Sequence, residues 1–366
     1  MKLNIPLFLC FSALLFFSCE PIVTEFKGIE NCEYYTANSN SADSPTKSQI
    51  KVMTWNIRFG AGRMGWFGES CGNRVILTDE EVLSSLRKIA DYINLVQPDI
   101  LLLQEVDINS KRTSYIDQLR WIMDNTYFKY AVYASVWRVA FIPSDGLGRM
   151  DEGNAILSRW KIGESFRLQF PLQGDQDALT KYFYFRNNIM KVRIDMPDGK
   201  QFYAVNTHLS AFSTDDTKKK QVDILVNELA SIDNSGKYFI LGGDFNLLPP
   251  NSDSTDYCDE DKCEGESFHH PGDKPMHKDG SNYLPEITWM QVLYDKYSPD
   301  VSLDKYKANQ INYFTHTTIH PNGFWNRKLD YLFTNYKWIP NTDTTHQTTH
   351  EMSDHCPVSV IWEVPK

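Results

Sequence analysis

Short apolar runs recur along this chain, and one after another ends in a polar group. Residues 50–57 carry the β-branched and aromatic content of a strand in Val52, Thr54 and Trp55, and stop at Asn56-Ile57-Arg58. A glycine-rich loop spans 60–72. Val82, Leu83, Leu86, Ile89, Ala90 and Ile93 then recur at helical spacing behind Thr78 or Asp79 as the cap, so a helix is expected to about residue 96. Residues 100–103 read as a buried strand that delivers Gln104-Glu105 at its exit. A second helix is expected over 115–125, then strands over 130–139 and 154–160 with a loop at 146–153. Residues 186–195 and 201–207 form a hairpin about Pro197-Asp198-Gly199 and lead to Asn206-Thr207-His208-Leu209. A helix over 216–232 follows.

The run Tyr238-Phe239-Ile240-Leu241 ends in Gly242-Gly243-Asp244-Phe245-Asn246. The glycines are read as letting the backbone turn and leaving room for a ligand at the strand's end. Asp244 and Asn246 lie two residues apart and point one way in extended geometry, where a carboxylate and an amide can bind a hard cation or orient a water. Residues 249–284 are polar and irregular, and a connection of that length is commonly functional or mobile. Its Asp253, Asp256, Asp259, Glu260 and Asp261 lack EF-hand spacing and read as a solvated loop, with His269, His270 and His277 on the surface. Late strands are expected over 328–334 and 357–364. Strands joined both by helices and by hairpins imply mixed sheets with helices outside, an α/β sandwich.

Composition narrows the choices. The 366 residues suffice for one large or two ordinary domains, and 42% hydrophobic content for a core. A net charge of −10 gives no basic footprint for gripping a long polyanion, which argues against a processive or duplex-gripping nuclease. Lys2 precedes an apolar run over 3–17 that is short for a membrane span and reads as a secretory leader. Ser18-Cys19 resembles the lipobox of bacterial lipoproteins, so Cys19 is the expected lipidation site, tethering the chain to a membrane surface. The expected divisions are a leader at 1–19, a flexible tether at 20–49 and a globular domain at 50–366. Beyond Cys19 stand Cys32, Cys71, Cys258, Cys263 and Cys356, an odd number, so at least one has no partner within the chain. Cys258 with Cys263 is the local pairing and Cys32 with Cys71 a further one. No CxxC pair occurs, and a zinc site is not expected.

The polar strand ends line up as Thr54-Trp55-Asn56-Ile57-Arg58, Gln104-Glu105, Asn206-Thr207-His208-Leu209, Gly242-Gly243-Asp244-Phe245-Asn246, Leu329-Asp330-Tyr331 and Ser353-Asp354-His355. Any one alone is an ordinary capping amide, surface acid or core histidine. Together, and with Gly153-Asn154-Ala155-Ile156-Leu157-Ser158-Arg159, they resemble the endonuclease/exonuclease/phosphatase superfamily over about residues 50–362. The resemblance implies a deoxyribonuclease I-like fold, a four-layer α/β sandwich of two packed mixed β-sheets with outer helices. It also implies metal-dependent hydrolysis of a phosphoester, with magnesium as the cation and manganese or calcium as alternatives. Glu105 with Asn56, and then Asp354, would hold the metal. Asp244 would orient or deprotonate the attacking water, and Asn246 would hold that water or a phosphoryl oxygen. His355 would contact the phosphate with Asp330 fixing its ring, and His208 would stabilise the transition state or protonate the leaving group. Asn206 and Asn154 are further expected substrate contacts, and Arg327, read from the residues before Leu329-Asp330, is either an anion contact or one half of a surface salt bridge.

Glu152 stands where apurinic endonucleases of this superfamily carry a phosphate-binding tyrosine, and the 5-phosphatases' tryptophan-cysteine-aspartate-arginine motif has no counterpart. The expected function is therefore an exported, lipid-anchored phosphohydrolase acting on a small or lipid-derived phosphoester. An extracellular nuclease is the alternative, so nucleic acid remains a candidate partner, and no protein partner is inferred. A third reading is a catalytically idle binding lipoprotein that uses Trp66, Trp325 and Trp338 to contact glycans or lipid headgroups.

Overall fold

Alternation along the strands sorts side chains onto two faces of each sheet and so builds three apolar layers. The computed structural model describes residues 22–38, 44–67, 71–269, 279–318 and 325–366. In chain order the strands are β1 (Ile29–Asn31), β2 (Glu33–Thr36), β3 (Gln49–Asn56), β4 (Ile100–Asp107), β5 (Tyr130–Ile142), β6 (Gly148–Ser158), β7 (Lys161–Gln169), β8 (Asn188–Asp195), β9 (Gln201–His208), β10 (Phe239–Asp244), β11 (Ser298–Pro299), β12 (Asp330–Thr334), β13 (Thr344–Thr345) and β14 (Val358–Glu363). The helices used below are α1 (Asp79–Val96), α2 (Gln118–Asp124), α3 (Ala178–Phe183), α4 (Thr217–Asn234) and α5 (Cys258–Asp261). One seven-stranded sheet runs β13-β14-β3-β4-β6-β5-β2 and the other β1-β7-β8-β9-β10-β12-β11. Each holds a parallel pair joined by a helical crossover, β3–α1–β4 and β9–α4–β10.

On β3, Ile50 and Val52 point between the sheets, whereas Met53 and Trp55, with Ile57 just past the strand, pack with Val82, Leu86, Ile89 and Ile93 of α1. On β10, Ile240 joins the layer between the sheets, and Phe239 and Leu241 pack with Val222, Leu225 and Leu229 of α4. Burying each such side chain is worth about 1.5–3 kcal/mol, so these layers dominate the stabilisation. α1 starts where its cap dictates: Thr78 Oγ1 accepts from Glu81 N–H, and Glu81 Oε2 accepts from Thr78 N–H at 2.9 Å.

Gly242 and Gly243 correct the expected turn, because both lie inside β10. A Cβ on Gly242 would stand 2.7 Å from Leu102 Cδ1 and 2.7 Å from Leu332 Cδ2, and one on Gly243 would stand 2.0 Å from the Thr207 carbonyl oxygen. The glycines let the facing sheet and the neighbouring strand approach closely, which brings Asp244 within reach of both.

Several other expectations change. Part of the supposed tether is structured, because β1 pairs with β7 and β2 with β5. Strands of 3 and 4 residues with mostly exposed side chains carry no readable alternation. β6 begins at Gly148, inside the expected loop at 146–153, and its polar Asp151 and Glu152 are buried by ion pairs with Arg138 and Arg112. The second helix is only α2, started by Asp117, whose side chain accepts from Arg120 N–H. The disulfide joins Cys71 to Cys263, in place of either expected pairing, and Cys32, Cys258 and Cys356 are buried thiols outside it. Residues 1–19, with Cys19, lie outside the described residues, as do His270 and His277. Among the described residues no helix is long and apolar enough to cross a membrane.

One buried group ties this fold to pH. His346 lies between the Tyr92 hydroxyl at 2.9 Å and Ser359 Oγ at 2.8 Å. Burial, assisted by the Lys51 charge, pushes its ring down to about 4. An unfolded histidine titrates near 6.5, so the contribution is complete above that pH and is lost as pH falls toward 4. The loss is at most about 3 kcal/mol. Urea unfolding across this window should show stability falling with pH, and His346→Gln should flatten that slope. An unchanged slope would exclude His346 as its source.

Candidate active site

The residues that alternate into the layer between the sheets change from apolar to polar at one end. In β3 the series Ile50, Val52, Thr54 ends at Asn56, which pairs with Gln104 of β4. In the facing sheet, Phe202 and Ala204 of β9 are followed by Asn206 and His208, and Ile240 of β10 by Gly242 and Asp244. Register puts Asp244 beside His208 on one side and Asp330 of β12 on the other. The sandwich closes over these groups: Asn56 Nδ2 donates to Asp244 Oδ2 at 3.0 Å and to Glu105 Oε1 at 2.8 Å.

Strict alternation would turn Glu105 away from this layer. The β4–β6 register shifts between Leu103 and Val106, and Glu105 adopts φ +53°, which aims its carboxylate at Asn56. Arg58 (φ +45°) and Asn246 (φ +48°) share this left-handed conformation. Each costs of order 1 kcal/mol or more, and such strain gathers where a side chain must be re-aimed for function. Asn246 Nδ2 meets His208 Nε2 at 3.1 Å and donates to the Leu209 carbonyl at 3.0 Å, while Asn246 N–H donates to Asp244 Oδ1 at 2.9 Å.

Asp244 is the centre of the arrangement. Its Oδ2 lies 3.4 Å from His208 Nε2 and 3.4 Å from His355 Nε2. His355 Nδ1 stands 2.8 Å from Asp330 Oδ2. Burial opposes charge on His355, but the carboxylates of Asp330 and Asp244 outweigh it and raise the ring well above its ordinary value. Burial also raises Asp330, against the pull of the His355 charge. Carboxylates at both ring nitrogens place the proton on the imidazole. His208 goes the other way: burial lowers it despite Asp244, so its ring is neutral.

The other expected residues divide. Asp354 contacts Arg58 Nε at 3.5 Å, and its ligand atom groups with those of His355 and His316. Asn206 is a strut between the sheets rather than a substrate contact. Its amide donates to the carbonyls of Leu103 at 2.8 Å and Ala155 at 2.9 Å and accepts from Gln104 at 2.7 Å, which uses its polar atoms. Asn154 keeps its candidacy, because it is buried and neither polar atom of its side chain has a partner among the described residues. Arg327 is corrected: its fork grips Asp261 at 2.6 and 2.8 Å against the Tyr257 ring, and the pair is buried. Asp261 therefore also leaves the solvated loop expected for it. Glu152 binds buried Arg112 at 2.5 Å, which neutralises the charge that would repel a phosphate.

His316 is a site neighbour that sequence reasoning missed. It bridges His355 through the backbone, and the two rings meet at a tilt of 46° with centroids 4.3 Å apart. It sits in an irregular segment, where no strand pattern announces it.

The donor set fits a hard divalent cation. Carboxylates of Glu105 and Asp244 converge on one amide, and the ligand atoms of Glu105, Asp244 and His208 lie within 4.8 Å of one another. Glu105, with Asp244 and His208 beside it, would hold such an ion, and Asp354 belongs to a neighbouring group. Asn56 is corrected from ligand to orienting residue: its Nδ2 faces both carboxylates while its Oδ1 accepts from Arg58 N–H at 2.9 Å.

A metal-fitting carboxylate pair beside one charged and one neutral histidine, at the end of a two-sheet sandwich, is the equipment of a phosphoesterase. The chain belongs to the Endonuclease/Exonuclease/phosphatase family, whose model matches residues 53–355. The family comprises phosphoester hydrolases and is generally dependent on divalent metal. Solved structures share the fold. The endonuclease/exonuclease/phosphatase from Beutenbergia cavernae DSM 12333 is 18% identical, with 87% of this chain and 72% of that one covered at a TM-score of 0.57. The human Nocturnin catalytic domain, solved with a bound sulfate anion, is 16% identical, with 87% and 95% covered at 0.51. The endonuclease/exonuclease/phosphatase from Bacteroides vulgatus is 12% identical, with 87% and 100% covered at 0.50. Comparison with curated proteins gave no match.

Proposed function

We propose that this protein hydrolyses a small or lipid-derived phosphoester, diester or monoester, by attack of a water positioned at Asp244. The observation that carries this reading is Asp244 Oδ2 itself, 3.0 Å from Asn56 Nδ2 and 3.4 Å from the Nε2 atoms of both His208 and His355. Asp244 orients the water and accepts its proton, with Asn246 fixing the carboxylate through its N–H. His355, charged and held by Asp330, offers its positive Nε2 side to a phosphoryl oxygen. Neutral His208 serves the transition state or the leaving oxygen from the opposite side of Asp244. Glu105, oriented by the Asn56 amide, would hold a magnesium ion, or manganese or calcium in its place, which would supply Lewis-acid stabilisation of the phosphoryl oxygens. Asn154 holds a substrate oxygen with its unpartnered amide.

The charge of −10 supports a substrate smaller than a long nucleic acid. The leader pattern before Cys19 supports export and a lipid anchor, which would hold the enzyme at a membrane surface facing the periplasm or the cell exterior. The idle-binder reading loses its proposed aromatic contacts. Trp66 and Trp325 are buried, and Trp338 packs on the core with its Nε1 donating to the Ser298 carbonyl at 2.9 Å. A panel of single- and double-stranded DNA, sphingomyelin, phosphoinositides and soluble inositol phosphates tests the substrate class. Metal-dependent release from a lipid or small phosphoester is the expected result, and release from DNA alone would replace this reading with the nuclease.

A further inference from the structure

A second group of ligand-type side chains lies outside the active centre. Asp256, Cys258 and His269 bring a carboxylate oxygen, a sulfur and an imidazole nitrogen within 4.8 Å of one another. The backbone around them is held in place: Tyr257 N–H donates to the Ser281 carbonyl at 3.1 Å, Tyr283 N–H to the Thr255 carbonyl at 2.7 Å, and Asp256 bridges Asn282. Cys258 N–H binds Asp256 Oδ1 at 3.0 Å, which turns Oδ2 toward His269 Nε2 at 2.9 Å. Cys258 Sγ donates its proton to the Asp279 carbonyl at 3.2 Å. The thiol is buried, while the Asp256 and His269 side chains above it are 45% and 43% exposed.

A half-exposed Asp–His pair contributes little to stability by itself. We propose that Asp256, Cys258 and His269 bind a zinc-type divalent ion, with water completing the shell. One thiolate, one imidazole and one carboxylate are a borderline-soft set that suits zinc, unlike the carboxylate oxygens at Glu105 and Asp244. Bonds of about 2.0–2.3 Å to such an ion need only small movements from the present spacing. Binding transfers the Cys258 thiol proton to solvent and breaks its bond to Asp279, so affinity weakens as the solution is made more acidic. The Cys258 N–H on Asp256 Oδ1 acts as the outer contact that orients a ligand.

The site would also brace the active centre. Cys258 begins α5, and Asp261 at the end of the same helix grips Arg327. Arg327 pairs through the backbone with His316, and His316 with His355. An ion at Asp256, Cys258 and His269 thus pins the helix that anchors the segment beside the charged histidine.

Titrating the metal-free chain with cobalt(II), in a preparation without a histidine tag, tests this. A thiolate-to-cobalt charge-transfer band should grow to one equivalent and disappear when zinc is added. Cys258→Ser should abolish the band, and Cys32→Ser should retain it. His269→Ala, at an exposed position that should not disturb folding, should weaken the apparent affinity at least about tenfold. No band in the unmodified chain, or a band that survives Cys258→Ser, would overturn the assignment. The readout is the metal–sulfur bond, so it stands or falls separately from phosphoester hydrolysis.

Discussion

Asp244→Asn should yield a folded protein whose phosphoester turnover is lower by about two orders of magnitude or more. The amide has the shape of the carboxylate, and its oxygen can still accept from Asn246 N–H. What it loses is the charge between two imidazoles, each 3.4 Å from Oδ2, and the capacity to take a proton from water. The same change removes one of the three carboxylates raising His355, after Asp330 and beside Asp354, so the imidazolium should deprotonate at lower pH than in the unmodified enzyme. Steady-state rates across pH, with circular dichroism to verify the fold, examine both effects. A near-normal rate in a properly folded variant would refute Asp244 as the centre of the site.

Glu105→Gln should act on the metal requirement. Glu105 reaches Asn56 only because the β4 register shifts and its backbone adopts φ +53°. Gln keeps the length and removes the charge, so the cation loses its principal anionic ligand at that position. The magnesium concentration for half-maximal rate should rise at least about tenfold, and saturated turnover should fall as well. Rates measured against magnesium separate these two changes. The same midpoint in both proteins would show that the ion sits elsewhere, with the Asp354, His355 and His316 group the first alternative.

Much of this centre is legible in the sequence because period-two alternation is reliable inside buried strands. Asn56, His208, Asp244 and Asp330 each lie on an inward-facing series that is apolar deeper in the sheet, so their convergence follows once two sheets face each other. The limits are equally specific. Glu105 breaks alternation through a bulge, and nothing in its neighbouring residues announces that. Asn206 and Asn154 are both buried strand amides, and only their partners show that one is saturated and the other is not. Arg327 looks like an anion receptor until Asp261, 66 residues earlier, occupies it. His316 comes to His355 through one isolated bridge, and Cys71 meets Cys263 across 192 residues. Contacts of that range leave no local pattern. Gly242 and Gly243 are meaningful in the sequence, but their purpose is close packing of β10 against the facing sheet and β9, which a strand-end turn does not require.

The most direct measurement is release of p-nitrophenol from bis(p-nitrophenyl) phosphate and p-nitrophenyl phosphate by purified residues 20–366 and by the His355→Ala variant, with magnesium and then with chelator. Release that requires metal and falls by about two orders of magnitude or more in the variant is the predicted result. Release indifferent to both chelator and His355, or none from either ester or from the natural panel with magnesium, manganese or calcium, would contradict a phosphoesterase centre at Asp244.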